Sequence, residues 1–175
     1  MRILVVNPVG TRIWDKKDEG YLRRFARKDT SIKVVSLKDG PSSLETFQSM
    51  VSVCPAIIQL VKSVESDYDA IIINCFGDPC VEAIREIVRV PVLGPGETSM
   101  MIASLLGHKF SVISPTKKTA LQVESRVRAL GIEQRFASAV GLDIAVLDLE
   151  RDVEKTVKAV VKASEKAVRD GAEVI

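Results

Sequence analysis

The chain of 175 residues contains one histidine, His108. Any Ser-His-Asp or Cys-His site would depend on that imidazole, which follows Leu105-Leu106-Gly107 instead of the end of a strand, so hydrolase chemistry of that type is disfavoured. The expected role of His108 is to complement the end of a helix capped by Gly107. Cysteine is scarce as well. Cys54, Cys75 and Cys80 lack paired finger spacing, and no metal is expected. The start Met1-Arg2-Ile3-Leu4-Val5-Val6 is too short and too weakly basic for a signal peptide or a membrane span. Free thiols in a reducing, cytoplasmic setting are therefore expected. Charge of one sign is also missing. Twenty-five basic against 23 acidic residues leave +2, so neither nucleic acid nor a membrane surface is an expected partner. Neither G-x-x-x-x-G-K-[ST] nor G-x-G-x-x-G occurs, so Gly94-Pro95-Gly96-Glu97 is not a phosphate loop and no nucleotide cofactor is indicated. Aromatics make up 5%, with two Asn and four Gln, a composition that leans towards thermophiles.

What the chain does have is alternation. Residues 2–7, 32–37, 69–74, 91–93, 109–114 and 135–140 are short runs rich in Val and Ile, several almost continuously apolar, as strands buried on both faces are. Helical patterns fill 14–28, 44–66 (interrupted at Pro55), 79–88, 97–106, 116–130 and 150–170. The stretch 97–106 is apolar nearly all round and reads as a buried helix. Strand alternating with helix predicts an α/β fold with a parallel sheet and right-handed crossovers. In such folds the loops just after the strands carry the site. Val61–Ile73 and Val160–Ile175 repeat one order of helix, acidic turn and apolar strand, a faint internal echo.

The loop Asn74-Cys75-Phe76-Gly77-Asp78-Pro79 is the richest in chemistry. Asp78 reads as a helix N-cap and Pro79 as the first helical residue. The helix end would then stabilise a Cys75 thiolate, whereas the Asp78 carboxylate would oppose it. Gly77 would let the backbone approach a ligand. Cys54 reads as a core residue. Cys80 either packs or pairs with Cys75, packing being favoured. Asn7, Ser42, Ser43 and Thr116 follow strands; each could satisfy a turn or cap, and together they could ring a small polar ligand.

Four stretches resemble the hydantoin racemase branch of the aspartate/glutamate racemase superfamily: Ile3-Leu4-Val5-Val6-Asn7-Pro8, Gly40-Pro41-Ser42-Ser43-Leu44-Glu45, Asp69 to Pro79, and Ser99 to Val112 with its Ala-Ser-Leu-Leu-Gly-His core. The resemblance implies two similar lobes, each a short parallel sheet flanked by helices: residues 1–95, and residues 96–175 with the second lobe incomplete. It implies a homo-oligomer and cofactor-independent racemisation by two opposed cysteines. Cys75 would be the first. The second, expected in a Gly-Cys-Ala-Gly-like loop after a strand similar to Ala172-Glu173-Val174-Ile175, would lie just past Ile175. Substrate would be bound by Asn7, Ser43, Gly77, Asp78 and Thr116, and Lys117 could add positive charge near an enolate, though a solvated lysine is the more ordinary role.

A thiol suits removal of a C5 proton beside a carbonyl, since thiols titrate near working pH. Relatives acting on free amino acids place Asn-Thr or similar after the first Cys. Phe76-Gly77 stand there in this chain, and an apolar ring suits an uncharged cyclic imide such as a 5-substituted hydantoin or allantoin. The competing readings are an aspartate/glutamate racemase or maleate isomerase of the same superfamily, and a non-catalytic ligand-binding α/β domain. An arylmalonate decarboxylase, which keeps only the second thiol, is opposed by Cys75.

Overall fold

A computed structural model describes residues 1–175. Six strands alternate with six helices: β1 (Arg2–Asn7), α1 (Asp15–Arg23), β2 (Ser31–Ser36), α2 (Phe47–Val64), β3 (Ala70–Ile73), α3 (Val81–Arg85), β4 (Val92–Leu93), α4 (Pro95–Leu106), β5 (Phe110–Ser114), α5 (Lys117–Leu130), β6 (Phe136–Gly141) and α6 (Val153–Arg169). The chain divides into two units, Met1–Leu44 with Gln48–Pro95 and Glu45–Phe47 with Gly96–Ile175.

The first unit is built on a parallel sheet ordered β2-β1-β3-β4. Because side chains alternate along a strand, the apolar runs feed two cores. Leu4, Val6, Ile71 and Ile73 pack with Met50, Val53, Ile57 and Val61 of α2 and with Val81 and Ile84 of α3. Val5, Ile32 and Val34 form the opposite cluster, with Leu22 and Ala26 against it. By length and hydropathy α2 is apolar enough to cross a membrane. Its buried residues nevertheless fall at helical spacing and belong to the sheet core, which accounts for that stripe without a bilayer. Pro55 does not interrupt α2, which runs unbroken from Phe47 to Val64.

The second unit pairs β5 with β6 in parallel, and Val174 adds one parallel bridge to Phe110. Met100, Phe110, Val123 and Val127 form its core, with the Phe110 and Phe136 rings 5.6 Å apart. Two expectations fail here. The helix read as buried, α4, buries Met100 but exposes Met101, Ile102, Leu105 and Leu106. Gly107 is not a left-handed cap. A Cβ there would stand 2.9 Å from Val174 Cγ2 and 3.2 Å from Glu173 Cβ, so the glycine permits a close approach. The exposed His108 donates its backbone N–H to Glu173 Oε2 at 2.8 Å.

Candidate active site

In the first unit the strand order reverses between β1 and β3. Connections leave to opposite sides at such a point, opening a crevice at the carboxyl ends of the two strands. Asn7 ends β1, and Asn74-Cys75 follow β3 directly. The backbone of Asn74 donates to Val6 O and that of Cys75 to Ile73 O, both at 2.8 Å, so the thiol is fixed to the end of the sheet.

The loop after Cys75 differs from the expected cap. Asp78 (φ 49°) and Cys80 (φ 62°) are both left-handed, and α3 starts only at Val81 with no side-chain cap. Asp78 is therefore not an N-cap, nor Pro79 a first helical residue. Asp78 is fully buried (0% exposed), its N–H bonded to Cys75 O at 2.8 Å and its side chain packed onto Gly94 at the end of β4. The glycine at 77 also serves a different end. A Cβ there would collide with Met50 Sδ of α2 and come within 3.8 Å of Cys75 Sγ.

Cys54 and Cys80 form a disulfide with Cα atoms 5.7 Å apart, which corrects the expectation of three free thiols and of a packed or Cys75-paired Cys80. The pairing joins α2 to the end of the Cys75 loop, a proximity that a separation of 26 residues conceals. Cys75 is the free cysteine, half-buried. Burial pushes its thiol up, the Gly77 N–H hydrogen-bonded to the sulfur pulls it down, and the Asp78 carboxylate pushes it up again. The net direction is upward, so the thiol is the resting form and a proton donor as found. Phe76, beside it, is 42% exposed.

The remaining expected site residues fall in different settings. Asn7 is buried (3% exposed). Its Nδ2 donates to Asp15 Oδ1 at 3.0 Å and to Asp18 Oδ2 at 3.1 Å, and its Oδ1 accepts from Asn74 Nδ2 at 2.7 Å. Both amide hydrogens are thus committed inside the protein. Ser42 is exposed and Ser43 half-buried in the loop after β2, a loop tied to the one after β1 by Gly10 N–H to Pro41 O at 3.0 Å. Thr116 and Lys117 belong to the second unit. The Thr116 hydroxyl forms a capping box with Thr119 at the start of α5. Lys117, 81% exposed, pairs with Asp143 at 3.1 Å, a surface contact of little energetic weight. The second unit also holds a cavity of about 510 Å³ lined by Asp143, Asp148, Arg151, Asp152, Lys155 and Thr156 among others; it contains charges of both signs and no thiol. No group of His, Cys, Asp and Glu has the arrangement to hold a metal ion. Asp15 and Asp18 were not anticipated. Their signal in the sequence is acidic residues in the first turn of the helix that follows β1.

Comparison with known proteins adds a family. The model of the Asp/Glu/Hydantoin racemase family matches residues 3–175. A hydantoin racemase of Pseudomonas sp. (strain NS671) is 35% identical over 177 residues, covering 100% of this chain and 71% of that protein. Among solved structures, allantoin racemase from Pseudomonas fluorescens superposes with a TM-score of 0.93 at 31% identity, covering 99% of this chain and 75% of the other. Allantoin racemase from Klebsiella pneumoniae gives 0.87 at 25% identity, covering 95% and 70%.

Proposed function

The chain belongs to the Asp/Glu/hydantoin racemase family, and from that premise we propose that it interconverts the enantiomers of 5-substituted hydantoins or of allantoin without a cofactor, with Cys75 as one acid–base group. The observation that carries this reading is the free Cys75 thiol at the strand-order reversal, with the Gly77 N–H on its sulfur and the exposed Phe76 ring beside it.

The C5 carbon of a hydantoin bears one hydrogen and lies beside a carbonyl. When a thiolate takes that proton, the C–H electron pair moves into the carbonyl and an enolate forms. Return of a proton to the opposite face inverts the centre. As a thiolate Cys75 removes the proton from one enantiomer; as a thiol it delivers one to the enolate of the other. Its raised pKa favours the second role at neutral pH and calls for a bound substrate, or an alkaline medium, for the first. The opposing acid–base group of a two-thiol scheme is neither Cys54 nor Cys80, which are joined to each other. Phe76 offers an apolar face that suits an uncharged ring better than a free amino acid. No step is routed through Thr116 or Lys117, which are engaged in a cap and an ion pair.

The exposed Met101, Ile102, Leu105 and Leu106 of α4 suit a homo-oligomer, whereas the Cys54–Cys80 disulfide removes the free-thiol argument for a cytoplasmic setting. The test is polarimetric racemisation of single enantiomers of benzylhydantoin, allantoin and aspartate. Turnover of a hydantoin or allantoin, abolished in Cys75→Ser, is expected. Turnover of aspartate alone, or full activity in Cys75→Ser, overturns the proposal.

A further inference from the structure

We infer that Asp18, an α1 residue outside the Cys75 loop, is a positioning residue for Cys75, acting through the side chains of Asn74 and Asn7. This rests on the reading of Cys75 as an acid–base group.

Helix α1 has no buried residue of its own, yet the side chains of its first turn reach three strand ends. Asp18 Oδ2 accepts from Asn74 Nδ2 at 3.2 Å and from Asn7 Nδ2 at 3.1 Å. Asp15 Oδ1 accepts from Asn7 Nδ2 at 3.0 Å and from the Ser36 hydroxyl at 2.6 Å. Asn74 Nδ2 also donates to Asn7 Oδ1 at 2.7 Å. Asn7, Ser36 and Asn74 stand at the carboxyl ends of β1, β2 and β3.

Bonds from a neutral amide to a carboxylate are charge-assisted and, at equal length, stronger than those between neutral groups; the two to Asp18 (3.1 and 3.2 Å) are longer than the neutral bond from Asn74 to Asn7 (2.7 Å), so Asp18 contributes by joining the two asparagines. Asp18 receives both asparagines, so it ties together the side chains at the ends of β1 and β3 at the reversal point. The Asn74 amide nitrogen donates once to Asp18 and once to Asn7 Oδ1, which holds its side chain in one orientation. The next residue in the chain is Cys75, whose own N–H returns to Ile73 O. Fixing Asn74 on both its backbone and its side chain therefore fixes where the sulfur starts from. A shift of about 1 Å in a reacting group costs on the order of 10²-fold in rate, and the first turn of α1 is placed to prevent it.

The test uses Asp18→Ala and Asp18→Asn with two readouts: steady-state racemisation, and the rate at which iodoacetamide alkylates Cys75, followed by mass spectrometry of the Cys75 peptide. In Asp18→Ala, kcat should fall at least ~10-fold while KM stays within about threefold, as for a misplaced reacting group, and alkylation should quicken several-fold as the loop loosens. Asp18→Asn keeps an oxygen that can accept from both amides, and should return kcat to within about threefold of wild type and alkylation to the wild-type rate. Should Asp18→Ala fail to fold, Asp18→Glu, which displaces the carboxylate by one methylene, should show the same fall in kcat and the same faster alkylation. Wild-type kcat and alkylation in Asp18→Ala, an effect confined to KM, or Asp18→Asn as impaired as Asp18→Ala would each overturn the inference. Because alkylation needs no substrate, a protein that racemises none of the compounds above would refute the proposed reaction while leaving the positioning of Cys75 to be decided by the thiol readout.

Discussion

Replacement of Gly94 by alanine tests whether the Cys75 loop is as fixed as its contacts imply. The new Cβ would lie 2.9 Å from Asp78 Cβ and closer still to its carboxyl group, and real Cβ atoms do not approach so near. Asp78 has no simple escape: it is fully buried, left-handed in backbone, bonded through its N–H to Cys75 O, and two residues from the disulfide at Cys80. Relief must come from moving the loop as a body. Overpacking of this kind costs about 1–3 kcal/mol, and disturbing a buried carboxylate's partners adds about 1–3 kcal/mol. A total of roughly 2–6 kcal/mol lowers the melting temperature by about 4–24 °C for a chain of this size. Cys75 moves with the loop, so kcat should fall on the order of 10²-fold. Thermal melting by circular dichroism and polarimetric racemisation of a single hydantoin enantiomer measure the two effects. A Gly94→Ala protein that melts and turns over like wild type would show that Asp78 is not held against Gly94.

Gly20 provides the opposite case: it lies within α1 with nothing within 4 Å of an added Cβ, so Gly20→Ala should stabilise by about 0.5–1 kcal/mol, read as a melting point raised by about 1–4 °C with unchanged turnover. The Cys54–Cys80 bridge closes a separation of 26 residues, worth about 3.5 kcal/mol by loop-closure entropy; a phosphine reductant should lower the wild-type melting point by roughly 10 °C and leave that of Cys54→Ser in place. The Cys75 thiol is raised by burial, so the native state holds its proton more tightly than the unfolded chain. That contribution is whole below the ordinary thiol value of about 8.5 and is lost as pH rises through the raised native value. Urea titrations should therefore find wild type losing more stability than Cys75→Ser on going alkaline, and parallel pH profiles would contradict this origin of the shift. Phe76→Ala removes an exposed ring, so stability should change by less than about 0.5 kcal/mol while KM for benzylhydantoin rises more than KM for allantoin; equal changes for both would deny the ring a role in substrate choice.

The strands were legible because burial on both faces leaves almost no choice of residue. Ile3 to Val6 and Ala70 to Ile73 are continuous apolar runs, and they pair side by side at the centre of the first sheet. The position of Cys75 followed from the same logic, being the first residue past Asn74 at a strand's carboxyl end. The start of α3 was not legible. Asp-Pro is a common way to open a helix, but left-handed backbone at Asp78 and Cys80 depends on what surrounds the loop, here Gly94, Met50 and Cys54, which are distant in sequence. The Cys54–Cys80 pairing and the reach of Asp18 to Asn74, 56 residues on, were concealed for the same reason. Helix α4 misled in another way: apolar residues all round signal burial only when something covers them, and Leu105 and Leu106 are exposed.

These hidden contacts fall on one short segment. Two non-glycine residues with positive φ in three positions are costly, on the order of 1–3 kcal/mol each, and persist only where neighbouring groups over-determine them. Residues 74–80 have that support on every side. Asn74 is tied to Asp18 and Asn7, Gly77 lies under Met50 and Asp78 against Gly94, and Cys80 is bonded to Cys54. Within this frame lie the half-buried thiol of Cys75 and the exposed ring of Phe76, the groups that meet the substrate in the proposed reaction. A carbon acid loses its proton only when the base is held in line with the C–H bond. On the proposed function, the strain held at Asp78 and Cys80 serves the placement of one sulfur atom, and the residues that maintain it extend well beyond the loop, to Asp18 in the first turn of α1 and to Met50 and Cys54 of α2.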